Sequence, residues 1–161
     1  GQGRGYAVNV PLFPYTGDET YLYVFDQVVL PLVTAFNPDV LVSQLGIDTH
    51  FNDPITHLRL SSQAFTKAVS LLAGLKMPWV ALGGGGYDVQ AVARCWTLAF
   101  GEMANKVWPK EIPSSYSDIH GQTELRDGEV PHPNKEIRDQ IASHTQSVIA
   151  DIKRLVFPFY G

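Results

Sequence analysis

Trp79-Val80-Ala81-Leu82-Gly83-Gly84-Gly85-Gly86-Tyr87 decides the fold of this chain. The first four residues are apolar and read as a buried strand. The four glycines carry no Cβ, so the backbone can turn sharply and lie close to a ligand or another segment. A helical pattern over residues 89–107 follows. Strand, tight turn and helix in this order are one half of an α/β layer. An aromatic hydroxyl closing such a turn is placed to point into a site.

The rest of the chain repeats the scheme. Val40-Leu41-Val42-Ser43-Gln44-Leu45 is nearly continuously apolar, as expected of a parallel strand covered on both faces. Gly46-Ile47-Asp48-Thr49-His50 follows it. Ser61 is a helix cap, the helix runs to about Leu72, and Gly74 ends it. Upstream, Tyr6-Ala7-Val8-Asn9-Val10 reads as a short strand stopped by Pro11. Asp18 reads as an N-cap, with Tyr21, Phe25, Val28, Val29, Leu32 and Phe36 at helical spacing and Pro31 as a kink. Residues 109–134, with four prolines, read as an irregular segment, and residues 135–156 as a terminal helix. The expected fold class is α/β, a mostly parallel sheet with helices on both faces. Right-handed crossovers place residues 46–52 and 83–88 on one sheet edge, where open α/β sheets bind ligands.

Bulk properties narrow the classes. The chain has 161 residues, 45% hydrophobic and 17% charged, which is a core-forming composition. A net charge of −4 does not favour direct binding to nucleic acid or to an anionic membrane. Cys95 stands alone, so an internal disulfide and a Cys-rich zinc module are excluded, and it reads as a small buried hydrophobe. No apolar run is long enough to span a bilayer and no signal peptide is visible, so the expectation is a cytoplasmic protein.

Asp48 ends a buried strand, and His50 lies two residues on. In extended chain both would face one side and could converge on a metal or substrate. Equally, Asp48 could cap a turn and His50 could be a loop residue. Tyr87 could face a site or pack on the next helix. The glycines could cradle phosphate, but no Lys-Ser/Thr follows and Asp88 opposes an anion. Asp53-Pro54 reads as turn chemistry. His57, His120, His132 and His144 are scattered and read as surface or hydrogen-bonded histidines.

Five motifs in order then identify a relationship: Asn9-Val10-Pro11-Leu12; Phe36-Asn37-Pro38; Gln44-Leu45-Gly46-Ile47-Asp48-Thr49 with Asp53-Pro54; Leu82-Gly83-Gly84-Gly85-Gly86-Tyr87; and Ala93-Arg94-Cys95-Trp96-Thr97. Over residues 3–121 the chain resembles the C-terminal part of the zinc-dependent histone deacetylase family, most like its bacterial and archaeal acetoin-utilisation branch.

The resemblance implies an arginase/deacetylase-like fold, with residues 1–161 forming the C-terminal part of one catalytic domain. It implies that Asp48 is one zinc ligand and that Tyr87 assists catalysis. Gly84, Gly85 and Gly86 would line a tunnel for an acyl-lysine stem, and Ile55 matches an apolar tunnel position more loosely. Tyr6 falls near a tyrosine tied to a second site for a monovalent cation such as K+. The implied metal is Zn2+, and the ligand set also tolerates Fe2+. The substrate would be an acylated lysine or another small acyl-amine. The family's other Asp and His ligands, and the paired histidines that activate water, belong upstream. The segment therefore needs the other half of the domain and is expected to be inactive alone. A nucleotide- or phosphate-binding α/β module and a non-catalytic interaction domain are the alternatives.

Overall fold

The computed structural model describes residues 2–160. Helix α1 (Asp18–Val24) runs into a π-helical turn (Phe25–Val29) and on into α2 (Leu30–Phe36). Strand β1 (Leu41–Gln44), helix α3 (Ser62–Ala73) and strand β2 (Trp79–Leu82) make a βαβ unit, and α4 (Val89–Ala104) follows the glycines. Then come α5 (Ser114–His120), α6 (Lys135–Leu155) and a 3₁₀ turn (Phe157–Phe159).

β1 and β2 pair in parallel, with Leu41 opposite Trp79 and Gln44 opposite Leu82. The Trp79 indole N–H donates to Ser43 Oγ at 2.8 Å and pins that register from the side. Parallel pairing sends both following loops off the same edge, as expected. The covered face turns Leu41, Trp79 and Ala81 onto a core of Phe25, Leu45, Ile47, Phe65, Val69, Leu72, Cys95 and Ala99. A second core joins Val24 and Val28 to Ile149 and Ile152 of α6, with Val8, Val10 and Leu12 against it.

Of the helices expected on both sheet faces, the described residues supply those on one. Val42 is 62% exposed, and Val80 and Leu82 are also exposed, so among the described residues this apolar face lies open. Residues 6–10 are not a strand; they cross the second core as irregular chain with no strand partner. Backbone pairing needs an adjacent edge, and apolar content alone does not supply one.

Other boundaries have local causes. Ser61 caps α3, its Oγ accepting from the Ala64 amide at 3.1 Å. Asp18 is not the cap of α1, since Gly17 holds that position. The Asp18 carboxylate instead accepts from the Ser61 amide at 2.7 Å and from the Ser61 hydroxyl at 2.5 Å, joining α1 to α3. Pro31 lacks an amide hydrogen and its ring crowds the carbonyl four residues back. That carbonyl is Gln27, inside the π turn, so the helix widens and continues. α4 ends at Ala104, earlier than residue 107, because Asn105 is left-handed at φ 52°. The chain then folds back, and the Trp108 indole donates to the Thr97 carbonyl at 2.8 Å. The Pro-rich stretch 109–134 is not wholly irregular, since it contains α5.

Cys95 is fully buried, and burial, with the charge of Asp127 adding, pushes its thiol up to about 12. A thiol this protonated and enclosed does not meet alkylating reagents. Cys95 should stay unmodified by iodoacetamide at pH 8 and react once urea unfolds the chain. Rapid labelling of native protein would contradict this packing.

Candidate functional site

The parallel edge brings the two loops together. The Leu45 amide donates to the Leu82 carbonyl and the Ile47 amide to the Gly85 carbonyl, at 2.8 and 2.7 Å, so the pairing runs past the strands into the glycines. Asp48 follows immediately, half-buried. A Cβ on Gly85 would lie 2.8 Å from Asp48 Cγ and would overlap Asp48 Oδ2. A Cβ on Gly84 would lie 2.7 Å from the Gly46 backbone. Gly86 has φ +143°, and a Cβ there would strike Ile47 and Val92. Gly85 thus leaves the space in which the Asp48 carboxylate sits, while Gly84 and Gly86 let the loop lie against Gly46, Ile47 and Val92.

Among the described residues, that carboxylate accepts no protein hydrogen bond, while the Asp48 carbonyl accepts from the Thr56 hydroxyl. Asp53 behaves in the opposite way. Its Oδ1 accepts from the amides of Ile55 and Thr56 at 2.9 and 3.2 Å, which is turn chemistry. Its Oδ2 accepts from the Tyr87 amide at 2.9 Å, 34 residues away. One carboxylate therefore fixes Tyr87 and Ile55 relative to each other. Both side chains are exposed, Tyr87 at 55%.

Sequence reading missed this second role, because a residue that forms a turn carries no mark of a distant partner. Asp53→Ala would strand three amides, two of them in the turn. The expected cost is roughly 1–3 kcal/mol, measured by urea unfolding of the full-length protein.

His50 is fully buried and its ring is fully engaged. Nδ1 accepts from the Asn52 amide at 3.2 Å, and Nε2–H donates to Asp127 Oδ2 at 2.9 Å. Asp127 also accepts from the Ser62 amide at 2.6 Å, and its Oδ1 lies 2.8 Å from Arg94 Nη2. Its own amide donates to Ser62 Oγ at 2.9 Å. Asp127 and Arg94 side chains are each only 5% exposed. Burial alone would raise the Asp127 carboxyl, but hydrogen bonds from His50 and Ser62 outweigh it and hold the group well below the usual carboxylate range.

The folded chain keeps Asp127 ionised to lower pH than the unfolded chain does. Its contribution is complete above about pH 5, where the unfolded carboxyl is also ionised, and is lost as pH falls toward the folded value. Asp127→Asn should flatten the decline of Tm with acidification below pH 4. An unchanged slope would show that other carboxyls carry it.

Tyr6 is not brought to this group. It packs in a separate aromatic cluster with Phe36 and Tyr160, at centroid distances of 5.9 and 5.4 Å. Asp88 caps α4, its carboxylate accepting from the Ala91 amide at 2.7 Å, in the place a phosphate would need. No group of three or more His, Cys, Asp or Glu able to hold a metal is found among the described residues. Asp48 fits a metal as a single ligand, being a carboxylate unused by protein donors and held in a cradle that a Cβ would fill.

A family model described as "Histone deacetylase domain" matches residues 1–103, which include the whole of this edge. The chain belongs to the histone deacetylase family. It is 37% identical over 113 residues to "Histone deacetylase 8" of Danio rerio, covering 70% of this chain and 30% of that protein. It is 38% identical over 136 residues to "Putative histone deacetylase 2" of Caenorhabditis elegans, covering 83% and 27%. It is 37% identical over 105 residues to "Acetoin utilization protein AcuC" of Staphylococcus xylosus, covering 62% and 27%. The chain thus spans less than a third of the length of these three deacetylase-family relatives. Among its described residues no helix is long and apolar enough to cross a membrane.

Proposed function

We propose that these residues are the C-terminal part of a single arginase/deacetylase-like catalytic domain that hydrolyses an acyl-lysine or small acyl-amine amide. In this reading Asp48 supplies one metal ligand. Gly84, Gly85 and Gly86, with Ile55, line the approach for the slender acyl-amine stem, and Tyr87 donates a hydrogen bond to the oxyanion. The observation that carries it is the Asp48 carboxylate, left without protein donors beside Gly85 and on the same edge as Tyr87.

Zinc, when bound, lowers the pKa of its water and polarises the amide carbonyl, and Fe2+ could serve the same ligands. The chain's own residues supply position. Asp48 stands in the turn that follows β1, its carboxylate against Gly85. The glycine backbone lets a substrate approach closely because no side chain projects from it. Asp53 fixes the Tyr87 backbone, so the phenol extends from a held anchor on the same edge as Asp48. The remaining ligands and the general base would come from the rest of the domain, whose packing would also cover Val42, Val80 and Leu82.

The test compares zinc content and acetyl-lysine turnover in the 161-residue segment and in the full-length protein. The expected result is about one bound zinc and turnover in the full-length protein, and neither in the segment. A full-length protein that binds zinc and cleaves no acyl-amine would confine the reading to the scaffold. One that binds no zinc would remove Asp48 as a ligand.

A further inference from the structure

The buried carboxylate of Asp127 lies outside the family-matched stretch, yet it holds both halves of the candidate site. Through His50 it grips the loop that begins at Asp48, and through Arg94 it grips the helix that begins directly after Tyr87. Through Ser62 it also grips the first turn of α3, by one bond in each direction. The His50 amide donates to the Ile47 carbonyl and the Asp53 amide to the His50 carbonyl, so the ring anchors a turn whose ends carry Asp48 and Asp53. Arg94 donates a second bond to the Leu125 carbonyl at 3.3 Å, tying the same C-terminal stretch to α4.

We propose that Asp127 is a positioning residue for the reaction site: by joining His50 to Arg94 it sets the Asp48 loop against the glycine loop. This rests on the reading of Asp48 as a metal ligand and of Tyr87 as the oxyanion donor. The chemistry explains why a carboxylate is needed. His50 offers an Nε2–H donor, Arg94 a buried guanidinium and Ser62 a backbone amide, and a single ionised carboxylate accepts all three. An amide at this position would accept fewer bonds and would leave Arg94 buried without a counter-charge. Residues that orient a ligand from behind commonly alter metal affinity or activity by about 10–100-fold when lost.

Two amides report on the geometry without any metal. The Ile47 amide bonds the Gly85 carbonyl and the Tyr87 amide bonds Asp53, so both are protected only while the loops stay in register. In metal-free, full-length Asp127→Asn, hydrogen exchange at these two amides should rise at least tenfold, with the Ile149 and Ile152 amides of α6 unchanged. Zinc Kd, measured by chelator competition, should rise about 10–100-fold. kcat per zinc-loaded enzyme for an acetyl-lysine peptide should fall while KM stays within about twofold; because loss of folded protein would also lower kcat at constant KM, the site-specific exchange is the readout that separates the two.

His50→Ala should reproduce this pattern. His50→Gln, whose amide N–H can replace Nε2–H, should recover most of the loss, which keeps the idea testable if Asp127→Asn does not fold. Unchanged exchange at Ile47 and Tyr87, or a uniform rise through α3, α4 and α6, would overturn the proposal and leave Asp127 as general stitching. Absence of zinc from the wild-type protein would instead overturn the deacetylase reading, and with it the consequence for a metal ligand.

Discussion

Tyr87→Phe in the full-length protein is expected to lower kcat by about 10²–10³-fold while zinc content stays at the wild-type level. The phenyl ring fills the same space, and the backbone bond to Asp53 does not depend on the hydroxyl. On the proposed reading only the donor to developing negative charge is lost, and such donors act in the transition state more than in the ground state. KM should therefore change little. Steady-state kinetics on an acetyl-lysine peptide, with metal analysis on the same sample, checks both parts. A normal kcat would take the hydroxyl out of the chemistry, and a fall in zinc would mean that Tyr87 supports the metal instead.

Gly85→Val is expected to lower kcat/KM by about 10²-fold or more and to reduce zinc content as well. The new Cβ would occupy the place of the Asp48 carboxylate. The loop cannot simply recede, because the Gly85 carbonyl accepts the Ile47 amide at 2.7 Å. Either the carboxylate rotates out of its place or the pairing beyond the strands breaks. The added methyls would also stand in the approach to the site, so KM should rise along with the fall in kcat. Retained zinc together with ordinary kinetics would reduce the glycines to turn formers.

The layered part of the fold was legible because its causes are local. Ser61 and Gly74 bracket α3, apolar runs give β1 and β2, and Asp88 opens α4. The meeting of Asp48 with the glycine loop was also legible, since parallel strands joined by one helix send their following loops to one edge. What escaped reading depends on distant pairing. Asp127 finds His50 across 77 residues, and nothing in Leu125-Arg126-Asp127-Gly128 distinguishes it from a surface turn. Asp18 looked like a cap and instead serves another helix's cap across 43 residues. The supposed strand at Val8 and Val10 had the right side chains for burial, which helix-packed irregular chain satisfies equally well. The open face behind Val42 and Val80 agrees with a segment that needs the other half of its domain, since an apolar run records what a strand is fitted to contact, whether or not that contact lies within the same 161 residues.

The wide turn at Phe25–Val29 has a mechanical consequence. Each residue of an α-helix advances the side-chain direction by about 100°, so a surplus residue in a π turn rotates everything after it by about that angle. Before the shift Tyr21, Leu22 and Phe25 face the first core and Val24 the second; after it Leu30 again faces the first and Leu32 the second. The extra residue keeps two stripes of one helix seated on two hydrophobic layers across a proline. Deleting Asp26 from this turn would rephase α2 and turn Leu30 and Leu32 away from their layers, while Val24 still holds α6.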